Sequence, residues 1–454
     1  MRNLEVYIEC NGNMINVGSI TGHNSDDAVF SYSEEYIEDK SSRSISISLP
    51  LDERSFSAER TRCFFESLLP EGYTRRCVAG WLHVDENDYI SVLSELGSEC
   101  LGAIRIVEGD MNIKQSSYRL LSHEELLEFA REGDMNITES SYRLLSHEEL
   151  LEFAREGATK SAELVIKSHL SLAGASGKTG LYYDRNNNEW YQPAGLAPST
   201  HILKQSHVRL KKIVANEQLC LLTARKLGIR TPDSFIINLN DKEDDFLFAT
   251  ERYDRKILDT SKELMGKKVP LRLHQEDFAQ ALGITASQKY EKNGKDYLAD
   301  VFELIKNYSS NPIEDQIRLW DLCIFNYLIG NTDNHVKNIA LLYSEDLKGI
   351  RLAPAYDLLS TVIYDSSTEK MSLNIDGEYD IRNINQKSFE NEAKKLGLGK
   401  GIATQHFLSM VEKFEMALEQ STYELEEQGY GVAVDIQKQI LKKAGIHNFK
   451  LTNP

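Results

Sequence analysis

Asp333, Asn338 and Asp357 are the residues of this 454-residue chain whose types and spacing point most directly to chemistry. Asp333 and Asn338 stand five residues apart in a polar loop, Asn331-Thr332-Asp333-Asn334-His335-Val336-Lys337-Asn338, and Asp357 follows in Ala355-Tyr356-Asp357. Moving a phosphoryl group from ATP needs a carboxylate that orients an acceptor hydroxyl and takes its proton. It also needs oxygen ligands that keep magnesium on the phosphates. Protein kinases place the base five residues before a metal-binding Asn and put a second metal-binding Asp beyond a hairpin. Magnesium keeps several waters, so one amide and one carboxylate suffice beside a nucleotide. Singly, each of the three is an ordinary loop or turn residue. Their order carries the reading.

The elements around them have to hold that order. Ile313, Ile317, Trp320, Ile324 and Leu328 recur every three or four residues, predicting a helix that stops at Gly330, a residue free to take the left-handed cap. After the loop come a strand over 339–343, a turn over 344–349, and a second strand over 350–352. Upstream, Ser171 to Gly180 is a small-residue loop in which Gly174 and Gly177 permit close approach to a polyphosphate. Its G-x-x-G-K-T pattern falls short of a Walker loop, which argues against a P-loop NTPase. A strand over 199–204 ends in Lys204, a candidate phosphate contact, and a helix over 216–227 carries Glu217 as its candidate ion-pair partner. Phe246 to Arg255 reads either as the segment joining two lobes or as an edge strand ending in salt bridges.

Composition sets the outer limits. Seventy acidic against 52 basic residues give a formal charge of −18, a field that repels nucleic acid, so contact with DNA would run through a partner. No membrane-length apolar run or secretory signal is evident, and the six scattered cysteines lack metal-ligand spacing. A cytoplasmic location is the expectation. Residues 108–131 and 132–155 are nearly one sequence repeated, differing at Lys114/Thr138 and Gln115/Glu139. Each copy carries a capping box, Ser122 with Glu125 or Ser146 with Glu149. Two copies are too few for a solenoid, and a duplication within a tolerant linker is the expectation.

In order, SLAGASGKTGL (171–181), STHILK (199–204), NEQLCLLTARKLGI (216–229), TERYDR (250–255), RLHQEDFAQALG (272–283), FNYLIGNTDNHVKN (325–338) and LAPAYDLLST (352–361) resemble the HipA family of bacterial Ser/Thr kinases. LLPEG (68–72) and LSELGSECLGAIRI (93–106) resemble that family's N-terminal subdomain. The resemblance implies an α/β, two-lobed, protein-kinase-like fold divided as 1–107 N-terminal subdomain, 108–158 duplicated helical linker, 159–255 N-lobe-like core, and 256–454 helical C-lobe. It implies Asp333 as the catalytic aspartate and Asn338 and Asp357 as magnesium ligands. Lys204, Ala175, Ser176, Gly177, Lys178, Glu251, Tyr253 and His335 would contact ATP, and Ser171 would be the autophosphorylated serine. The loop reads Ala175-Ser176-Gly177-Lys178 where the family pattern calls for a glutamine and a bulkier residue, and Ser176 adds a second hydroxyl.

ATP and magnesium are the implied cofactors. A helix-turn-helix antitoxin of HipB type and a cytosolic protein substrate, such as a translation factor or an aminoacyl-tRNA synthetase, are the implied partners. Two other readings remain open at this point: a toxin scaffold or corepressor that docks an antitoxin, and a nucleotidyl transferase on the same fold.

Overall fold

The computed structural model describes residues 2–109, 116–131, 178–195, 197–205, 212–239, 246–292 and 294–450. Alternating apolar residues near the N-terminus form a four-stranded antiparallel sheet of β1 (Arg2–Cys10), β2 (Asn13–Gly22), β3 (Val29–Tyr32) and β4 (Ile104–Glu108), in the order β3-β2-β1-β4. Leu4, Val6 and Ile8 turn one face of β1 into the core, as a period of two requires. Helices Ala58–Phe65, Gly72–Leu82 and Tyr89–Leu96 lie between β3 and β4 in sequence. The run Ser44 to Leu49 alternates like a strand but forms a turn. Ser46 Oγ donates to Glu276 Oε2 at 2.5 Å and the Ile47 amide to Glu276 Oε1 at 3.2 Å, so a buried carboxylate captures the segment.

The N-lobe sheet has six strands: β5 (Ser117–Leu120), β6 (Lys178–Asp184), β7 (Glu189–Ala194), β8 (His201–Gln205), β9 (Ser234–Asn238) and β10 (Phe246–Glu251), in the order β5-β7-β6-β8-β10-β9. Here the structure differs from the expected 108–158 linker. Ser117 to Leu120 of the first repeat pair with Ala194 to Tyr191 as an edge strand, so this stretch is part of the sheet. The predicted capping box is present: Glu125 N donates to Ser122 Oγ at 3.1 Å and Ser122 N to Glu125 Oε2 at 2.9 Å. The second copy, with Ser146 and Glu149, lies outside the described residues, as does the loop carrying Ser171, Ala175, Ser176 and Gly177.

The helix Ile213–Lys226 packs beneath the sheet, and a mainly helical C-lobe follows, giving the expected two-lobed arrangement. At its centre is the helix Pro312–Ile329, with Asn311 as N-cap and Pro312 in the first turn. The three-to-four-residue spacing marks one apolar face, but burial does not follow it. Ile313 is exposed, whereas Leu319, Trp320, Leu322 and every residue from Cys323 to Ile329 are buried, because helices Tyr297–Tyr308 and Lys400–Glu427 pack around it. Each large apolar side chain so buried contributes on the order of 1.5–3 kcal/mol. Gly330 caps the helix at φ 69°, where an added Cβ would lie 2.3 Å from Val362 Cγ2. That cap turns the chain sharply into the loop at 331.

Candidate active site

The loop delivered by Gly330 is stitched by its own polar groups. Asn331 Nδ2 donates to Asn326 Oδ1 at 2.9 Å and to the Asp357 carbonyl at 3.3 Å. The Asp333 carbonyl accepts from the His335 amide at 2.8 Å and from Asn338 Nδ2 at 3.0 Å. The strands Ala340–Tyr343 and Ile350–Leu352 then pair as the predicted hairpin and return the chain to Asp357, which sits at φ 57°. Aspartate tolerates that left-handed conformation better than most residues.

From the N-lobe, Lys178 and Lys204 are cross-strand partners on β6 and β8. Lys204 Nζ donates to Glu217 Oε1 at 2.7 Å and to Asp357 Oδ1 at 2.5 Å, spanning the lobes. Burial opposes charge on Lys204, but the two carboxylates outweigh it and keep the ammonium protonated. Burial likewise opposes charge on Asp357, and Lys204 and Lys178 overcome it, holding the carboxyl below the usual range. Glu217 is pushed up to about 7 by burial, with Lys204 pulling the other way. Among the described residues Lys178 has no ion-pair partner, and burial and the neighbouring Lys204 bring it down to about 8.

These groups surround one cavity of about 350 Å³, lined by Lys178, Lys204, Glu217, Glu251, Tyr253, Asp333, His335, Asn338 and Asp357. Every described site residue expected from the sequence therefore faces the same space. Burial raises the Asp333 carboxyl, and a hydrogen bond from Tyr290 opposes the rise. His335 is pushed down to about 3 by burial and by Lys289, so the ring is neutral. Tyr253 stacks on Tyr356 at 5.8 Å and 30°.

The donor set suits magnesium held jointly with a nucleotide. Asn338 spends its amide nitrogen on Asp333, so its amide oxygen is the atom that would meet a cation, and Asp357 supplies a carboxylate. Among the described residues no group of three or more His, Cys, Asp or Glu could hold a metal. A magnesium ion that takes phosphate and water oxygens does not require such a group.

Sequence reasoning missed the contribution of the N-terminal unit. Glu71, at the start of helix Gly72–Leu82, pairs with Lys337 at 3.2 Å and Lys289 at 2.9 Å, and Lys337 also reaches Asp277 at 3.3 Å. Burial would raise Glu71, but the two lysines hold it at about 2. Glu71 lay in the LLPEG motif, which was a usable signal; Tyr290 had none. The edge-strand reading of 246–255 needs correction, because β10 is an interior strand paired with β8 on one side and β9 on the other, although it does end in salt bridges. Glu251 and Tyr253 line the cavity, while Arg252, Asp254 and Arg255 are buried against Glu99 and Gly102 of the N-terminal unit.

Comparison with known proteins identifies the family. Residues 170–420 match the model of the HipA-like C-terminal domain and residues 8–107 that of the HipA N-terminal domain. A protein of Sinorhizobium fredii named as a kinase, Y4mE, is 30% identical over 399 residues, covering 87% of each chain. The serine/threonine-protein kinase toxin HipA of Shewanella oneidensis is 24% identical over 385 residues, covering 82% of this chain and 80% of that one. The solved complex of Shewanella oneidensis HipA with HipB and its operator DNA contains a chain that superposes with a TM-score of 0.75. That match has 22% identity and covers 97% of this chain and 96% of the other. Both family domains are thus present in order on a kinase-like fold, and the chain belongs to the HipA family.

Proposed function

We propose that this chain is a serine/threonine protein kinase that transfers the γ-phosphoryl group of ATP to a hydroxyl of a protein substrate. The observation that carries the reading is the convergence of Asp333, Asn338, Asp357 and the paired Lys204 on one cavity. Asp333 orients the acceptor hydroxyl and takes its proton. Lys204, with Lys178 beside it, meets the phosphate oxygens, and Glu217 keeps Lys204 in place. Glu251, Tyr253 and His335 border the nucleotide. Asn338 and Asp357 would hold magnesium, which neutralises charge on the phosphates when bound. Ser171 is the proposed site of self-modification, adding up to about two negative charges beside the phosphate loop and so shutting the site.

An antitoxin of HipB type is the proposed partner. Its support is the related complex, in which HipA, HipB and operator DNA occur together. The charge of −18 suits a protein that reaches DNA through such a partner.

Intact-mass measurement after incubation with magnesium and ATP tests the reading. A phosphate-sized gain is expected in the native protein and none in Asp333→Asn, whose transfer should fall by roughly 10²–10⁴ while ATP binding persists. A nucleotide-sized gain would replace the proposal with nucleotidyl transfer.

A further inference from the structure

Among the hydroxyls that line the cavity, that of Tyr290 is one the proposed mechanism leaves unused, and it lies against the base. Tyr290 is 45% exposed, yet its hydroxyl donates to Asp333 Oδ1 at 2.7 Å, and its ring meets His335 edge-on at 5.2 Å. A phosphoryl acceptor would make that same bond to the general base. The tyrosine is delivered there by anchored neighbours. Lys289 is tied to Glu71 at 2.9 Å. Glu291 accepts from the Tyr297 amide at 2.6 Å and from the Asn374 amide and Nδ2 at 2.8 and 2.7 Å. The Glu291 amide donates to the Ser372 carbonyl at 3.3 Å. Both flanks are thus held, with the phenol between them at the base.

We propose that Tyr290 is a specificity-determining residue whose hydroxyl keeps the acceptor's place on Asp333 until a protein hydroxyl displaces it, so that water is denied the base. The proposal rests on the kinase reading above. In hydrolysis the water oxygen bonds to the γ-phosphorus, and the bridging P–O bond breaks with its electron pair leaving on ADP. The water proton passes to Asp333. Transfer to protein differs only in the attacking oxygen, so the nucleotide half of the site cannot choose between the two. A protein acceptor brings binding energy from the chain around its hydroxyl with which to displace the phenol, and water brings none. Lys204, Asn338 and Asp357 serve either acceptor, whereas Tyr290 separates them.

The experiment uses the full chain with magnesium and ATP, measuring ADP release and protein-bound phosphate separately in native protein and in Tyr290→Phe. Phenylalanine keeps the ring against His335 and removes only the donor. The ratio of ADP to phosphoprotein should rise on the order of tenfold, the scale of one lost hydrogen bond to a charged group. Melting should be unchanged, and the gain should vanish in Tyr290→Phe combined with Asp333→Asn. An unchanged or lower ratio would overturn the proposal. So would phosphate mapped to Tyr290 in the native protein, because the phenol would then be an acceptor itself. If the native protein made neither product, the kinase reading would fall and the gate with it.

Discussion

At the seam between the N-terminal unit and the N-lobe, Glu99 takes Arg252 at 3.2 Å and Arg255 at 2.8 Å, with Arg272 on its other oxygen. Asp254 takes Arg252 at 2.7 Å and Arg255 at 2.8 Å and accepts the Gly102 amide at 2.7 Å. In the cavity, a single lysine serves both Glu217 and Asp357 while Lys178 stands beside it without an ion-pair partner among the described residues. The seam cluster is withdrawn from water, whereas Asp357 in the cavity keeps 34% of its side chain exposed, and the matching differs as well. At the seam, guanidinium forks satisfy each carboxylate, and although burial opposes its charge, Arg272 and Arg255 hold Glu99 well below the usual range. In the cavity the charges are poorly matched and face open space, with Glu217 near 7 and Lys178 near 8. A closed, matched cluster fixes how two units sit together. An open, mismatched one is a place for a ligand to complete.

The comparison breaks first at Asp357. Asp357→Asn removes a carboxylate that only a bound cation and Lys204 would use. Transfer should fall by on the order of a hundredfold or more, the scale of losing one electrostatic contact to a transition state. Stability should stay within about 1 kcal/mol, because Lys204 retains Glu217. Parallel turnover and denaturant unfolding would show it. Glu99→Gln should do the reverse, leaving Arg252, Arg255 and Arg272 buried without their shared anion at a cost of about 3 kcal/mol or more. Folded molecules should keep their transfer rate. If Asp357→Asn proved the more destabilising, the division into seam and site would be wrong.

Much of the site was legible because its logic is local. The spacing of Asp333 and Asn338, the cap at Gly330 and the hairpin before Asp357 are written within one stretch of chain, and the structure builds them as read. Lys204 and Glu217 were readable because a strand and the helix after it have few ways to meet. What escaped depends on contacts between distant segments. Glu71 reaches Lys337 across the unit boundary, and Tyr290 reaches Asp333 from a loop whose anchors lie at Ser372 and Asn374. Nothing in the local pattern of either residue specifies its partner. Ser44 to Leu49 shows the same limit, because its residues alternate as a strand's do while the remote Glu276 holds them in a turn.

The smallest expected effect concerns the repeat, where the sequence suggested a linker and the sheet shows an edge strand. Residues 140–155 are identical to residues 116–131, and Arg131 is followed by Glu132-Gly133 just as Arg155 is followed by Glu156-Gly157. Deleting 132–155 therefore leaves one complete copy and restores the same junction, Arg-Glu-Gly. The remaining Ser117 to Leu120 can pair with β7 as before, and Tyr118 can keep its place against Tyr182 at 4.6 Å. Shortening a connection changes closure entropy only logarithmically, by about 0.6 kcal/mol per halving. Melting and autophosphorylation should accordingly match those of the full chain. Deleting 108–155 instead removes both possible sources of the edge strand and exposes β7, and should lower stability and yield. A large loss from the single-copy deletion would mean that the second copy does something the first cannot, despite their shared sequence.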